Sequence, residues 1–546
     1  MCIYKKYCKE TFDELGRLTD FKLNYPNNFN FGYDVVDEIA NIEPNKRALV
    51  WCNTNNEERV FTFSDIKRYS NKVANVFLNA GLKRGDRVMV LLKRHYEYWF
   101  VAVALHKLGI TLIPATHMLT VDDLVYRIKS SRCKGIVCSP YSEVPTKVSE
   151  AVKLANHKCK LWTVQETVEG FMNLNEQMFR CLDELPRQET CVKDPMLIYY
   201  TSGTTGHPKG VIHDYTYPLA HIMTSKYWHQ AKDNGLHLTI AEIGWAKASW
   251  GKIYGQWLVG TAVMVCDFDN FDPKYIAHII NKYEVTTFCA PPTFFRYFVL
   301  IKDIPEMPTL RHVSTGGESL SPDVFKKFHE KTGHVLHEGY GQSETTMLIG
   351  NIKGYDYVEG SLGIASPQYN VKLIGKNGEP VKVGEIGEIC VVPPTNGILP
   401  GIVRAYVGND EQYRQVWRGG VYHTGDSAWL DENGRFWFNG RFDDIIKTGG
   451  FRVGPCEIEN VLMEHNEVVE CCVIGVPDVL RGQAIKAYVI LDEAIEPTKQ
   501  KEREIKEFCN SQLAEYKWIS MVEFVKVLPK TASGKIRKTE LRTSCN

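Results

Sequence analysis

This chain of 546 residues has no excess of either charge, since Lys+Arg and Asp+Glu each number 65. A balanced chain has no global field to attract nucleic acid or an anionic membrane. No run approaches the roughly 18 apolar residues that cross a bilayer. The first ten residues contain neither the apolar core of a signal peptide nor an arginine-rich transit pattern. We therefore expect no nucleic-acid partner, no membrane span and a cytoplasmic location.

Cysteine is present but lacks the spacing of a zinc or redox motif. The 16 cysteines include no C-x-x-C pair, and several lie in apolar runs. Buried single thiols of this kind are typical of a reducing compartment, which agrees with a cytoplasmic location. Internal repeats and low-complexity segments are also missing, so solenoids and fibrous proteins are excluded.

Strand and helix patterns alternate through most of the chain. Helical spacing predicts a helix over 64–80 with Ser64 as its N-cap, and apolar runs predict strands such as 87–92 and 196–200. This alternation predicts a large N-terminal α/β domain with layered, parallel sheets, over residues 1–442. Shorter elements follow and predict a small α+β C-terminal domain over residues 443–546.

A polar stretch, Thr201 to Lys209, follows the predicted strand 196–200 and reads Thr-Ser-Gly-Thr-Thr-Gly-His-Pro-Lys. Glycine lets the backbone close around an anion with its amides exposed, so we predict a phosphate-binding loop. The P-loop pattern is excluded, because Gly203 and Gly206 are only three positions apart and Lys209 precedes a glycine. An ordinary surface turn is the alternative interpretation.

Later motifs offer the groups that a nucleotide needs. Tyr340 lies between two glycines and offers a face to a purine, and Glu344 is a carboxylate of the kind that holds Mg²⁺ together with phosphate oxygens. Asp426 follows Thr-Gly and can accept hydrogen bonds from a ribose diol. Arg441 and Arg452 can neutralise phosphate charge.

The aromatic run 245–257 has two interpretations. If it is helical, Trp250, Tyr254 and Trp257 share one face, which is typical of a buried core stripe. Lys247 and Lys252 interrupt this apolar run, and its glycines would leave space beside the rings. A substrate pocket bordered by the run is therefore the second interpretation.

Taken together, these motifs resemble the adenylate-forming enzymes, which include acyl-CoA synthetases, firefly luciferase and the adenylation domains of peptide synthetases. The resemblance spans the whole chain, from Thr201 to Lys535, in the order of the family's motifs. The segments around Gly454-Pro455 and Arg481-Gly482 are similar to medium-chain acyl-CoA synthetases. The resemblance implies the fold of adenylate-forming enzymes, with the two domains joined by a hinge at Asp443.

The resemblance also implies a role for each motif residue. The residues expected to bind ATP or AMP are Thr201, Ser202, Gly203, Thr204, Thr205, Gly206, Lys209, Gly317, Glu318, Ser319, Glu338, Gly339, Tyr340, Gly341, Gln342, Ser343, Asp426, Arg441 and Lys535. Those expected to act in catalysis are Lys535, Lys209 and Arg452, with Glu344 as the metal ligand. Those expected to contact coenzyme A are Gly449, Gly450, Phe451 and Arg481. Those expected to border the acyl pocket are Trp245, Lys247, Trp250 and Cys289.

The implied reaction joins a carboxylic acid to coenzyme A with ATP and Mg²⁺, through an acyl-AMP intermediate. Bulky rings shorten a pocket, so a short- or medium-chain or branched aliphatic acid is favoured. An aromatic acid of the benzoate type and an acyl-AMP ligase are the alternatives. A luciferase-type oxygenase and a non-catalytic nucleotide-binding regulator are more distant rivals, and a peptide-synthetase module would need a carrier domain. Homo-oligomer formation is left open.

Overall fold

The structure, a computed structural model, describes residues 2–201, 208–318, 320, 322–395, 397, 399–449, 451–530 and 536–543. At Asp443 and Arg452 only the backbone is described. No helix within these ranges combines the length and the apolar character needed to cross a membrane. Two large sheets, three smaller ones and the helices around them make up the described fold.

The first large sheet contains the strands that precede and follow the predicted phosphate loop. Its central strands run parallel, and the strand that follows the loop pairs antiparallel with the one that precedes it. In sheet order the strands are Ala405–Tyr406, Lys209–Asp214, Pro195–Thr201, Thr111–Pro114, Arg87–Leu91, Gly135–Cys138, Lys160–Thr163 and Met172–Asn173.

The second large sheet is parallel through its centre and antiparallel at both edges. In sheet order its strands are Ile364–Ala365, Ile349–Gly350, Leu336–Tyr340, His312–Gly316, Thr287–Ala290, Leu236–Thr239, Ala262–Asp267, Arg47–Asn53 and Glu58–Thr62. The largest buried cluster includes Val88 and Val90 from the first sheet and Val263 and Val265 from the second. A shared core therefore joins the two sheets, which is the layered α/β arrangement predicted from the sequence.

Three smaller sheets complete the described strands. One is a hairpin of Cys8–Phe12 and Leu18–Leu23, and another is antiparallel, with strands Asn370–Ile374, Gly387–Val392, Tyr422–Leu430 and Phe436–Arg441. The C-terminal sheet contains Phe451–Val453, Ile446–Thr448, Gly482–Leu491, Val468–Asp478 and Met521–Phe524. This last sheet packs with two helices around a core of its own, which confirms a separate C-terminal α+β unit.

The helices connect and cover these strands. The α-helices are Glu38–Ile42, Phe63–Asn79, Glu97–Leu108, Val121–Ser131, Val144–Ala155, Leu174–Arg180, Thr216–Met223, Ala246–Gly251, Tyr254–Leu258, Pro273–Lys282, Pro292–Leu300, Pro322–Thr332, Asp410–Val416, Pro455–Met463, Lys499–Ser511 and Lys538–Thr543. Two π-helical segments are Gly32–Asp37 and Thr224–Trp228, and the 3₁₀ turns are Ile3–Lys6, Arg418–Gly420, Phe442–Asp444 and Glu515–Lys517.

The N-cap predicted at Ser64 is wrong. The helix Phe63–Asn79 is capped by Thr62, whose hydroxyl accepts from the amide of Asp65 while the Asp65 carboxylate accepts from the amide of Thr62. This reciprocal pair is a capping box, which satisfies two amides at the helix start. Ser64 has no acidic residue three positions later and could not form one.

The run 245–257 is not one helix. Helix Ala246–Gly251 ends before Ile253, whose φ of −159° lies outside the helical region, and Tyr254–Leu258 begins a new helix. A Cβ at Gly251 would lie 2.0 Å from Oγ1 of Thr239, so this glycine packs directly on the neighbouring strand. Close packing at Gly251 and the break that follows it prevent Trp250 and Trp257 from continuing along one helix face.

Candidate active site

The predicted phosphate loop begins and ends at facing positions of the first large sheet. Thr201 and Lys209 are cross-strand partners between Pro195–Thr201 and Lys209–Asp214, and both are half-buried. The five loop residues predicted to bind phosphate, 202–206, lie outside the described residues. The two ends of the predicted loop are thus held by strand pairing, with Lys209 as the described cation.

Three parallel strands of the second large sheet end side by side. The strands Thr287–Ala290, His312–Gly316 and Leu336–Tyr340 are neighbours in register, with Thr315 opposite Glu338. A Cβ at Gly316 would lie 2.3 Å from the carbonyl oxygen of Gly339, so only glycine fits there. The predicted residues at these strand ends therefore converge on one edge, where open α/β sheets bind ligands.

Asp426 is held by a network of polar side chains. Its Oδ2 accepts a hydrogen bond from the hydroxyl of Tyr340 and another from Nε2 of Gln342, both at 2.6 Å. The hydroxyl of Tyr422 donates to Oε1 of Gln342 at 3.0 Å, which fixes the amide orientation. Arg441 Nη1 lies 3.6 Å from Oδ1 of Asp426. The predicted ribose carboxylate is thus rigidly placed, and the Tyr340 hydroxyl is one of the groups that hold it.

Glu344 accepts a hydrogen bond from a tyrosine hydroxyl and feels the charges of two cationic side chains. Tyr406 donates to its Oε1 at 3.1 Å. Burial raises the pKa of Glu344, while this hydrogen bond and the charges of Lys209 and Arg441 act in the opposite direction. A carboxylate that faces two cations from other elements marks a point where anionic phosphate and a metal ion could be accommodated.

Glu338 has a different environment although it lies on the same strand edge. It is 8% exposed, and burial raises the pKa of its carboxyl to about 8, opposed by the backbone amide of Leu320. A carboxyl with this pKa is neutral at physiological pH and can donate a hydrogen bond. Nearby, the hydroxyl of Thr293 donates to Oε2 of Glu318 at 2.7 Å.

The predicted acyl-pocket residues meet the glycines of the nucleotide motifs. A Cβ on Gly341 would lie 2.5 Å from the indole of Trp250, so this ring packs against the Gly341 backbone. Lys247 donates to the carbonyl of Gly316. Burial raises the pKa of the Cys289 thiol, and the charge of Lys247 opposes that rise. These three residues therefore lie near one another beside the nucleotide motifs. Half-buried Trp245 is the N-cap of helix Ala246–Gly251, which carries Lys247 and Trp250.

The described residues predicted to contact coenzyme A also lie close together. The amide of Gly449 donates to the carbonyl of Arg481 at 2.9 Å. Phe451 is 52% exposed and stacks on Tyr516, with ring centroids 4.6 Å apart. Arg481 is exposed in the turn just before strand Gly482–Leu491, whose first residue pairs with Thr448. This set presents an aromatic face and a guanidinium at one end of the strands of that sheet.

Several predicted site residues fall outside what the structure describes. They are Ser202, Gly203, Thr204, Thr205, Gly206, Ser319, Gly450 and Lys535. Two others are described by backbone alone, with Asp443 in the turn Phe442–Asp444 and Arg452 in the strand Phe451–Val453.

Two site residues were missed by the sequence analysis. Tyr406 holds Glu344 from a strand 62 residues later, and no local motif marks it. Trp228 packs on Gly339, where a Cβ would lie 2.4 Å from the indole, and its Nε1 donates to the carbonyl of His337 at 3.0 Å. A tryptophan after an apolar helix gives no sign that it will lie against a glycine of another motif.

Comparison with known proteins agrees with this geometry. The family model described as AMP-binding enzyme matches residues 36–402, and the model described as AMP-binding enzyme C-terminal domain matches residues 457–535. The mitochondrial acyl-coenzyme A synthetase ACSM3 of Homo sapiens is 37% identical over 538 residues, which cover 96% of this chain and 91% of the relative.

Solved structures resemble the chain over nearly all its length. The crystal structure of the anthranilate CoA ligase AuaEII in complex with anthranoyl-AMP has a TM-score of 0.86 and 26% identity, and the alignment covers 96% of this chain and 98% of that one. The acyl-CoA synthetase of Brucella canis has a TM-score of 0.71 and 27% identity, covering 94% of each chain. The family predicted from the motifs is therefore confirmed, as is the fold.

Proposed function

We propose that this chain, which belongs to the AMP-binding enzyme family, activates a short- or medium-chain or branched aliphatic acid. The enzyme is an AMP-forming acid–thiol ligase, that is, an acyl-CoA synthetase: carboxylic acid, ATP and coenzyme A give acyl-CoA, AMP and diphosphate through an acyl-AMP intermediate. Membership of the family and 37% identity to an acyl-coenzyme A synthetase over 96% of the chain support this assignment.

The proposed chemistry depends on cations placed around the nucleotide. A carboxylate that attacks the α-phosphate brings two anions together, so positive groups must lie where charge gathers. We assign this work to Lys209, Arg441 and Lys535, and ribose binding to Asp426. The charges of Lys209 and Arg441 both act on Glu344, which supports their placement near the phosphates. Loss of one well-aimed group of this kind costs about 10²–10³ in rate.

The proposed metal ligand is Glu344. Its carboxylate is held by Tyr406 at 3.1 Å and faces the charges of Lys209 and Arg441, so its surroundings fit a site shared with phosphate. Mg²⁺ binds through one or two carboxylates together with substrate phosphates, and would neutralise charge on those phosphates when bound. The hydrogen bond from Tyr406 orients this half-buried carboxylate.

The acid is proposed to be small because the ring of Trp250 occupies space beside the nucleotide motifs. Its indole packs against the Gly341 backbone, and its ring centroid is 5.7 Å from that of Trp228, which packs on Gly339. Two tryptophans therefore fill the space beside the nucleotide motifs, where an acyl chain would have to extend. We call these two rings, Trp228 and Trp250, the filled wall; they are the observation that carries the substrate proposal, with Lys247 and Cys289 at the border of the wall.

An aromatic acid is the second candidate. One of the similar structures is the anthranilate CoA ligase AuaEII, at a TM-score of 0.86 and 26% identity. A flat ring needs a narrow slot, and stacking on an indole favours it. Benzoate and anthranilate therefore belong among the acids to be tested.

Coenzyme A is proposed to reach the site past Gly449, Gly450 and Phe451, with Arg481 as a basic partner for its phosphates. For this the C-terminal domain, proposed as residues 443–546, must turn about Asp443 relative to residues 1–442 between the two half-reactions. Lys535 would serve adenylation, and the opposite face of the same domain would serve thioester formation. Arg452 is proposed to face the acyl-adenylate.

A cytoplasmic location is retained as a proposal. The human relative named above is mitochondrial. None of the fifteen cysteines within residues 2–543 that the structure describes forms a disulfide bond, which agrees with a reducing compartment. Imaging of a fluorescent fusion against a mitochondrial marker tests the location, and light scattering on the purified chain tests for a homo-oligomer.

The assay that tests the function follows thioester formation and AMP release in parallel, with Mg²⁺, ATP and coenzyme A. The acids are acetate, propionate, isobutyrate, 2-methylbutyrate, hexanoate, octanoate, benzoate and anthranilate. A maximum at short or branched acids supports the filled wall, whereas a maximum at octanoate refutes it. A maximum at benzoate or anthranilate selects the second candidate. Acyl-AMP without thioester moves the chain to the acyl-AMP ligases.

A further inference from the structure

Three side chains with metal-binding atoms meet on the antiparallel sheet that carries Asp426. Cys390 and His423 are cross-strand partners between Gly387–Val392 and Tyr422–Leu430, and Glu388 lies two positions before Cys390. One donor atom from each of the three lies within 4.8 Å of the others. All three are nearly buried, with 7% of the Glu388 side chain and 12% of the His423 side chain exposed.

The distances approach those of a tetrahedral zinc site. Sγ of Cys390 lies 3.4 Å from Nδ1 of His423, which lies 2.9 Å from Oε2 of Glu388. Metal bonds of about 2.3 Å to sulfur and 2.0–2.2 Å to nitrogen and oxygen, at tetrahedral angles, separate these atoms by about 3.6 and 3.4 Å. These two distances would therefore have to lengthen by about 0.2 and 0.5 Å, and the three donor atoms already lie within 4.8 Å of one another. We propose that Glu388, Cys390 and His423 bind a thiophilic divalent cation, Zn²⁺ or Cd²⁺.

Charge balance supports this site. A thiolate, a carboxylate and a neutral imidazole would carry two negative charges, which match a divalent cation. Arg418 Nη2 now pairs with Oε2 of Glu388 at 2.7 Å, but 55% of its side chain is exposed, so it can turn into water. Oε1 of Glu388 would keep the hydrogen bond from the amide of Gly425, at 3.0 Å.

A second cluster in the described residues lacks these advantages. His465, Glu467 and Glu504 also bring three donor atoms together. Lys501 Nζ already pairs with both carboxylates, at 2.6 and 2.8 Å, and no sulfur contributes. A cluster without sulfur whose carboxylates already pair with a lysine offers Zn²⁺ or Cd²⁺ little preference. The site with Cys390 is therefore the better candidate.

Metal binding should depend on pH in a defined direction. A cysteine binds a metal ion as its thiolate, not as its thiol. The cation must therefore displace the thiol proton, and each binding event releases it. Affinity should rise with pH and fall in acid. Neither this dependence nor the site itself rests on the proposed function, since binding needs no substrate.

The test uses the full chain, freed of metal with a chelator and titrated with Cd²⁺. Absorption by cadmium–thiolate charge transfer reports sulfur ligation, and a chromophoric chelator in competition reports Zn²⁺ affinity. We expect the natural chain to bind one equivalent of Cd²⁺ with thiolate ligation. Cys390→Ser and His423→Gln should each weaken binding at least about tenfold, since even residues behind the ligands contribute this much. Cys138→Ser is the matched control, because Cys138 is as fully buried as Cys390.

Two outcomes would overturn the proposal. One is an unchanged charge-transfer band in Cys390→Ser and His423→Gln, each shown to be folded by thermal melting. The other is loss of the bound equivalent of Cd²⁺ in Cys133→Ser, because Cys133 and Cys159 have sulfurs 4.0 Å apart and form a rival thiol pair. His423→Gln keeps all thiols intact, so it separates the two sites even if Cys390→Ser fails to fold.

Discussion

Replacing Trp250 by leucine should lengthen the preferred acid. The indole is 7% exposed and contacts the Gly341 backbone, where the nucleotide motif meets the proposed acyl pocket. Leucine keeps the site apolar but removes the distal ring, which leaves room for about three methylene groups at about 0.8 kcal/mol each. The gain of about 2.4 kcal/mol corresponds to a shift of about 60-fold in the ratio of kcat/KM for hexanoate over propionate.

The assay measures kcat/KM for both acids at saturating ATP and coenzyme A, in the natural chain and in the variant. Trp257→Leu is the matched control: Trp257 is fully buried in the same segment, but its Nε1 donates to the carbonyl of Ala48 at 2.9 Å, in the core of the large domain. Thermal melting checks that both variants fold, because loss of a buried aromatic costs about 3 kcal/mol or more. An unchanged acid ratio in folded Trp250→Leu would refute the placement of Trp250, as would an equal shift in Trp257→Leu.

Three further predictions concern charged groups. Glu338 loses its proton near pH 4.5 in the unfolded chain and near pH 8 in the folded chain, so stability falls as pH rises between these values. Over that range the free energy of unfolding of Glu338→Gln, measured by denaturant titration, should rise by up to about 5 kcal/mol relative to the natural chain. A difference between the two chains that stays constant with pH would contradict the burial argument. Burial, and after it the charge of Arg94, lowers the pKa of Lys252 to about 7, whereas the unfolded chain keeps this proton up to about pH 10.5, so the stability of the natural chain rises as pH increases above 7. Lys252→Met should lack this rise, and its melting temperature at pH 7 should be higher than that of the natural chain. Lys535→Ala should slow adenylation about 10²–10³-fold yet still convert supplied acyl-AMP to thioester, and equal loss in both single-turnover assays would argue against a rotating domain.

The parts of the site that follow directly from strands were predictable from the sequence. The strand predicted over 87–92 spans Arg87–Leu91, one residue shorter, and the strand before the phosphate loop differs from 196–200 by one residue at each end. Parallel strands place their carboxyl ends on one edge, so Glu338 and Gly316 could be expected near each other once the sheet was known to be parallel. Local periodicity and turn chemistry were enough for these features.

Contacts between elements far apart in the chain could not be predicted from local periodicity or turn chemistry. Trp99 Nε1 donates to the carbonyl of Lys252 at 2.7 Å, and this partner supports a helix break that periodicity alone does not reveal. Tyr406 reaches Glu344 from a two-residue strand, which is too short to have a pattern. The Thr62 cap was different, since Thr62 and Asp65 have the capping-box spacing and could have been preferred to Ser64.

The site contains two glutamates with different neighbours, Glu338, which is buried, and Glu344, which is half-buried. Burial raises the pKa of both carboxyls. Glu344 faces Lys209 and Arg441, whose charges favour its ionised form. At Glu338 the opposing contribution is a single backbone amide, from Leu320. The sequence contains both as glutamates in one motif, but their neighbours come from other strands. Glu338 is therefore the better placed of the two to stay neutral and donate a hydrogen bond, whereas the cations near Glu344 oppose the rise in its pKa.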